Sequence, residues 1–132
     1  RDEVLDPDIP VIKVCTYLGQ KTKAWDILVR EEYQLTTPIV DILKGVKTIE
    51  FFNCITNPML DDVCIDGHAY SVWLGQRVTV HKVPNLTGKL RKTIKQDYRD
   101  ATAFINGELD EQYSAATIQA VTWVTHKRIH NV

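Results

Sequence analysis

The side chains best placed to do chemistry in this sequence are a carboxylate at Asp66, an imidazole at His68 and an amine at Lys47. Asp66 follows the apolar run Val63-Cys64-Ile65 and precedes a helical pattern, which is where an N-cap belongs. Capping alone contributes about 1 kcal/mol and is reason enough for an aspartate there. The two roles are compatible, because a carboxylate at a helix start can also face a cleft. Taken alone, Lys47 is a solvated lysine, and His68 serves to hold the turn through a backbone hydrogen bond. His126 and His130 stand four apart on the terminal helical pattern, the spacing at which two imidazoles meet one metal ion. No glutamate intervenes and no third ligand is near in sequence, so the residues assign no metal. Gln119 and Trp123 lie one turn apart, where they can line a pocket, and packing is the simpler role. Trp25, Trp73 and Trp123 are expected in the core or at an interface rather than as stacking platforms for bases.

Cys15, Cys54 and Cys64 form no C-x-x-C pair, and three thiols cannot all pair with one another. This pattern argues against a zinc ribbon or an iron–sulfur loop. It favours a reducing compartment with the cysteines serving as small apolar residues.

The formal net charge of −1 does not by itself call for a polyanion. Its distribution is uneven. Between Arg77 and Arg99 seven basic residues (Arg77, Lys82, Lys89, Arg91, Lys92, Lys95 and Arg99) face a single acid, Asp97. A local basic face suits phosphate contact, while a solvated helix face is the plain alternative. Acids gather at residues 2–8, at Asp61-Asp62 and from Glu108 to Glu111.

The elements that must position these groups are short helices. A chain of 132 residues, 44% hydrophobic and 25% charged, has the size and composition of one globular domain. No apolar run approaches the ~18 residues of a membrane span. The first residues, Arg1 to Asp8, lack the basic and apolar regions of a signal peptide and begin without Met, so a trimmed chain or a piece of a longer one is expected. Residues 1–19 are expected as an extended arm and 20–130 as a helical core.

Thr22 is expected to cap a helix to Tyr33, with Ala24, Trp25, Leu28 and Val29 on one stripe. Thr37-Pro38 opens a two-turn helix with Ile39, Val40, Ile42 and Leu43 inward, and Gly45 supplies a left-handed stop. A second helix runs from Thr48 to Ile55, with Ile49, Phe52 and Ile55 on one face, and ends at Asn57-Pro58. Asp66 caps a helix from His68 to Leu74, closed by Gly75. Residues 77–83 alternate weakly and predict an extended connection or a small ribbon. Thr87 caps a long helix with Leu90, Ile94, Tyr98, Ala101 and Ile105 inward, stopped by Gly107. A last helix spans Ser114 to Ile129, with Ile118, Val121 and Val124 inward. The whole predicts an all-α bundle of short helices.

Two stretches in the middle of the chain resemble a known family. Leu43-Lys44-Gly45-Val46-Lys47-Thr48, an apolar helix, and then Val63-Cys64-Ile65-Asp66-Gly67-His68 resemble the core signature of the helix-hairpin-helix DNA glycosylase superfamily. Nineteen residues separate Lys47 from Asp66, close to the family spacing. The hairpin lacks its second glycine and is two residues shorter than the family form, and Ser71 replaces an arginine often found after Asp-x-His. The chain is also much shorter than a complete glycosylase. A closer resemblance, over most of residues 20–128, is to small phage-encoded proteins that look like reduced members of the superfamily. It rests on Gly45, Lys47, Phe51 and Ile55, on Ile65-Asp66-x-His68-Ala69, on Tyr98 with Ala101, and on Gln119-Ala120-x-x-Trp123-Val124.

The resemblance implies a truncated glycosylase fold containing a helix-hairpin-helix-like unit. It implies that Asp66 is the active-site carboxylate and Lys47 the lysine that, in strand-cutting members, attacks the sugar carbon. A fixed carboxylate stabilises the positive charge that builds on the sugar as an N-glycosidic bond breaks. A neutral amine can attack the same carbon and form a Schiff base, once the base is extruded from the duplex. Gly45, Val46 and Thr48 at the hairpin, with Lys89 and Lys92, are the expected nucleic-acid contacts. The expected role is base excision or base modification in phage DNA metabolism, in the host cytoplasm, with no cofactor or metal. DNA is the expected partner, and a second protein chain that completes the fold is a further one. The rival expectations are a non-catalytic DNA-binding module and a structural or partner-binding protein that reuses the scaffold.

Overall fold

A computed structural model describes residues 18–29 and 38–132 of the chain. Among the described residues every regular element is helical and none is a strand. The chain divides into two compact units, residues 1–45 and 46–132. The expected caps at Thr37 and the helix end at Tyr33 lie outside the described residues, as do Cys15 and nearly all of the expected arm.

In the first unit α1 spans Leu18–Val29 and α2 spans Ile39–Leu43. The first helix begins four residues before Thr22, which therefore lies inside it rather than at its cap. Lys23 Nζ donates to the Leu43 carbonyl at 3.0 Å, satisfying an acceptor that the end of α2 leaves open. The positive-φ residue after α2 is Lys44 (φ 54°), not Gly45 as expected.

The second unit carries α3 (Val46–Thr56), α4 (Gly67–Leu74), α5 (Gly88–Leu109) and α6 (Ala115–Ile129). Single 3₁₀ turns lie at Pro58–Leu60 and Val80–Lys82. The second of these occupies the stretch expected to be extended or ribbon-like, and no ribbon forms. Side-chain caps open three of these four helices. Asp66 Oδ1 accepts the Ala69 N–H at 2.9 Å, Thr87 Oγ1 that of Leu90 at 3.3 Å, and Ser114 Oγ that of Thr117 at 3.1 Å. Gly75 closes α4 in the left-handed conformation at φ 72°. The long helix α5 runs through Gly107 and stops instead at Asp110, whose φ is 52°. Gly107 falls where the helical hydrogen bonds still have partners, so its permissiveness is not used.

The core is small. Val63, Ile65, Ala69, Ile94, Tyr98 and Ala115 form its buried cluster, with Leu90, Tyr70, Val72, Trp73 and Leu86 against it. Ile94 and Tyr98 face inward on α5 as expected, but the next buried position is Thr102 and Ala101 is exposed. On α6 Ile118 is buried while Val121 and Val124 are exposed, because the inward stripe runs through Ala115, Ile118 and Thr122. The buried residue of α3 is Glu50, not an apolar one, and Ile55 is 65% exposed.

Glu50 is the centre of an ion network. Its Oε1 lies 2.5 Å from Arg91 and its Oε2 lies 2.7 Å from Lys95, which also reaches Asp62 Oδ1 at 2.7 Å. Two carboxylates and two cations balance. Burial pushes the Asp62 carboxyl up, but hydrogen bonds from Lys95, Asn53 and the Val63 N–H outweigh it and hold it below its ordinary range. Burial pushes Lys95 down, and its bonds to Asp62 and Glu50 more than compensate, so its amine titrates higher than usual.

Removing one partner of a buried ion pair leaves the others charged and unmatched, at a cost of about 3–5 kcal/mol. Glu50→Ala is expected to lose that much in urea denaturation. A loss below about 1 kcal/mol, the scale of a surface pair, would show that the network does not brace the fold. The same linkage predicts an asymmetric pH profile. Asp62, lowered in the fold, stabilises above its unfolded value of 3.8, and that contribution is lost as pH falls through the lower folded value. Lys95, raised in the fold, stabilises below 10.5, and its contribution is lost as pH rises through the higher folded value. Melting temperature followed from neutral to acid pH should fall less steeply in Asp62→Asn than in the native chain. Equal acid limbs would contradict the assignment.

Candidate functional site

The extended segment from Asp62 to Asp66 carries the site. It is buried without a strand partner, so its peptide groups need side chains to bond with. Three helices supply them. Glu50 Oε1 on α3 accepts the Ile65 N–H at 3.1 Å. Arg91 on α5 donates to the Ile65 carbonyl at 3.0 Å. Gln119 on α6 takes both sides of Cys64, its Oε1 accepting the N–H at 3.1 Å and its Nε2 donating to the carbonyl at 2.5 Å. The amide of Gln119 thus acts as a neighbouring strand would. Asp61 and Asp62, together an acidic cluster in the sequence, separate into structural tasks. Asp61 Oδ1 accepts the Ala115 N–H at 2.8 Å, at the start of α6, and Asp62 Oδ1 accepts the Val63 N–H at 2.9 Å within the network.

This bracing ends at Asp66, which stands between two concavities. One, of about 380 Å³, is bordered by Lys47, Asp66, Gly67, His68 and the valines 78, 80 and 83. The other, of about 330 Å³, is walled mainly by apolar and aromatic groups: Phe51, Cys54, Cys64, Tyr98 and Trp123, with Gln119 behind. Asp66 and His68 border both. One carboxylate oxygen of Asp66 caps α4, and the other makes no hydrogen bond among the described residues. Lys47 sits exposed on the first turn of α3, and its ammonium forms no ion pair there with Asp66. Lys47 and Asp66 therefore border one cavity without forming an ion pair.

The aromatic groups around the second cavity are ordered by contact. The rings of His68 and Trp123 lie 5.4 Å apart and tilted, and Lys127 Nζ stands 5.1 Å from the Trp123 ring centre. Tyr98 donates to the Ala69 carbonyl at 3.3 Å, and burial pushes its hydroxyl up to about 12, so it remains protonated. Trp123 borders this cavity rather than lying in the core, while Trp73 is half-buried and donates to Asp97 at 2.7 Å.

The two described thiols are poor nucleophiles. Burial pushes Cys64 up to about 11, and burial followed by the Asp62 charge raises Cys54. Both are free. Burial, then the His130 and His68 rings, hold His126 below its ordinary value. Among the described residues no three metal-binding side chains gather, and no helix is long and apolar enough to cross a membrane.

The basic stretch from Arg77 to Arg99 is not one face. Arg91 and Lys95 serve the Glu50 network, and Arg99 Nε donates to the Asp61 carbonyl at 3.1 Å. Arg77, Lys82, Lys89 and Lys92 are exposed. Val46 and Thr48 are exposed beside Lys47 on α3, whereas Gly45 closes the first unit. Sequence reasoning missed Glu50, Arg91 and Lys95 as a set and Gln119 as a backbone clamp. A signal existed for the cations: positions 91, 95 and 99 recur every fourth residue beside the buried stripe of 90, 94 and 98. Nothing local marks Glu50 as buried or Gln119 as a partner of a distant peptide group.

No curated protein and no solved structure matches the chain. Residues 14–131 match the model of a family of unknown function (DUF7178), and the chain belongs to that family.

Proposed function

We propose that the second unit acts on nucleic acid by glycosylase-like chemistry, breaking or modifying an N-glycosidic bond at the concavity that Lys47 and Asp66 share. The single observation that carries this reading is that Lys47 and Asp66 border one cavity, with one Asp66 oxygen making no hydrogen bond among the described residues. That oxygen would stabilise the positive charge developing on the sugar carbon as the base departs. Lys47 would attack the same carbon in a strand-cutting reaction, forming a C–N bond as the base leaves and then a Schiff base with the opened sugar. Lys47 is exposed on α3, whereas the Asp66 carboxylate is held in place by its cap on α4. Asp66 is therefore the primary group and Lys47 the secondary one. The adjoining apolar cavity beside Trp123 supplies a water-poor space for a planar ring.

A second reading draws on the same exposure. Val46, Lys47 and Thr48 open α3, where backbone N–H groups and an ammonium suit a phosphate. On this reading the unit binds DNA without chemistry, with Lys89 and Lys92 as further phosphate contacts. A role in phage DNA metabolism accords with either reading.

Asp66→Asn separates cap from catalyst, because asparagine caps a helix as well as aspartate does. It is expected to keep folding stability within roughly 0.5 kcal/mol while base release from modified-base oligonucleotides falls by about 10²–10³-fold. Borohydride should trap the native chain on abasic DNA and fail to trap Lys47→Ala. Salt-dependent DNA binding with no base release in the native chain would favour the second reading. No binding even at low salt would end both.

A further inference from the structure

The last turns of α6 hold a second cluster that the proposed chemistry does not use. His126 and His130 face one another with ring centres 4.3 Å apart and planes at 56°. Both are half-buried, so their rings are held rather than loose in solvent. Two imidazoles bound to one tetrahedral ion through nitrogens at ~2.0–2.1 Å place their ring centres roughly 5 Å apart. The observed separation is somewhat shorter, so the rings would move slightly apart to take an ion between them.

The two cations between the histidines in sequence do not block the site. Lys127 extends to the Trp123 ring, 5.1 Å from its centre, and Arg128 is exposed. The pair also lies at the C-terminal end of a 15-residue helix, where the macrodipole favours positive charge. We propose that His126 and His130 form a binding site for a divalent transition-metal ion of the zinc class. No third side chain completes the site among the described residues. The ion would therefore keep water in its remaining positions and exchange readily, unlike a closed structural zinc. Neutral imidazole nitrogens are donors matched to a borderline-soft ion, whereas calcium and magnesium prefer oxygen.

The test is titration of the untagged full chain with zinc chloride, followed by calorimetry and by the histidine ring signals in NMR. One ion per chain is expected, moving the His126 and His130 ring resonances together and leaving His81 unmoved. His130→Gln should weaken binding at least tenfold, and the far-ultraviolet spectrum of that variant checks that the helix persists. Magnesium chloride should produce no such shift. Undiminished zinc affinity in His130→Gln, or zinc-induced changes confined to the cysteine signals, would overturn the proposal. Because neither readout involves DNA, failure here leaves the proposed function untouched, and failure there leaves this site intact.

Discussion

A buried glutamate organises the second unit. Glu50 is 3% exposed on a helix otherwise rich in apolar residues, and a carboxylate in that position is tolerable only when matched by charge and hydrogen bonds. Arg91 and Lys95 come to it from α5, and the Ile65 amide comes to it from the chain leading into α4. One side chain thus fastens three parts of the chain that are far apart in sequence. An apolar residue at position 50 would fill the same space without fixing which peptide lies opposite. The carboxylate does fix it, because only one N–H can meet Oε1 while Ile65 remains in the core.

Gln119 repeats the principle from the other side. Its amide bonds both the donor and the acceptor of Cys64, so α3 and α6 each identify one residue of the same extended segment. A slip of one position would break both matches and turn Ile65 out of the buried cluster. The consequence for the site is direct. Asp66 is the next residue, and its place between two cavities follows from a register set by Glu50 and Gln119, neither of which bonds the Asp66 carboxylate. The candidate chemistry depends on a carboxylate held within a fraction of an ångström, and the buried network supplies that precision more than the helix cap does.

Local signals were legible where local physics decides. Asp66, Thr87 and Ser114 cap their helices as their residue types and the following patterns indicate, and Gly75 takes the left-handed stop. The all-helical character followed from those caps. The long-range pairings were not legible, since nothing in the neighbourhood of Glu50 or Gln119 shows that a distant peptide group awaits them. The same blindness made Arg91 and Lys95 look like part of a phosphate-binding face, when their partners lie forty-one and thirty-three residues away at Glu50 and Asp62. Gly45 and Gly107 were expected as stops from residue type alone. Positive φ falls instead at Lys44, one residue earlier, and at Asp110, three residues later, and of the two only Asp110 takes the left-handed helical conformation. The pairing of Lys47 with Asp66 came from resemblance rather than from periodicity, and both residues border one cavity of the second unit.

The central claim is that Glu50 and Gln119 hold the segment before Asp66 in a single register, and native-state amide hydrogen exchange reads it most directly. With no strand to protect them, the Cys64 and Ile65 amides should still exchange as slowly as the core of α5, and Glu50→Ala with Gln119→Ala should release both to fast local exchange while α5 stays the better protected. Fast exchange at both amides in the native chain, or full protection in the double variant, would contradict it.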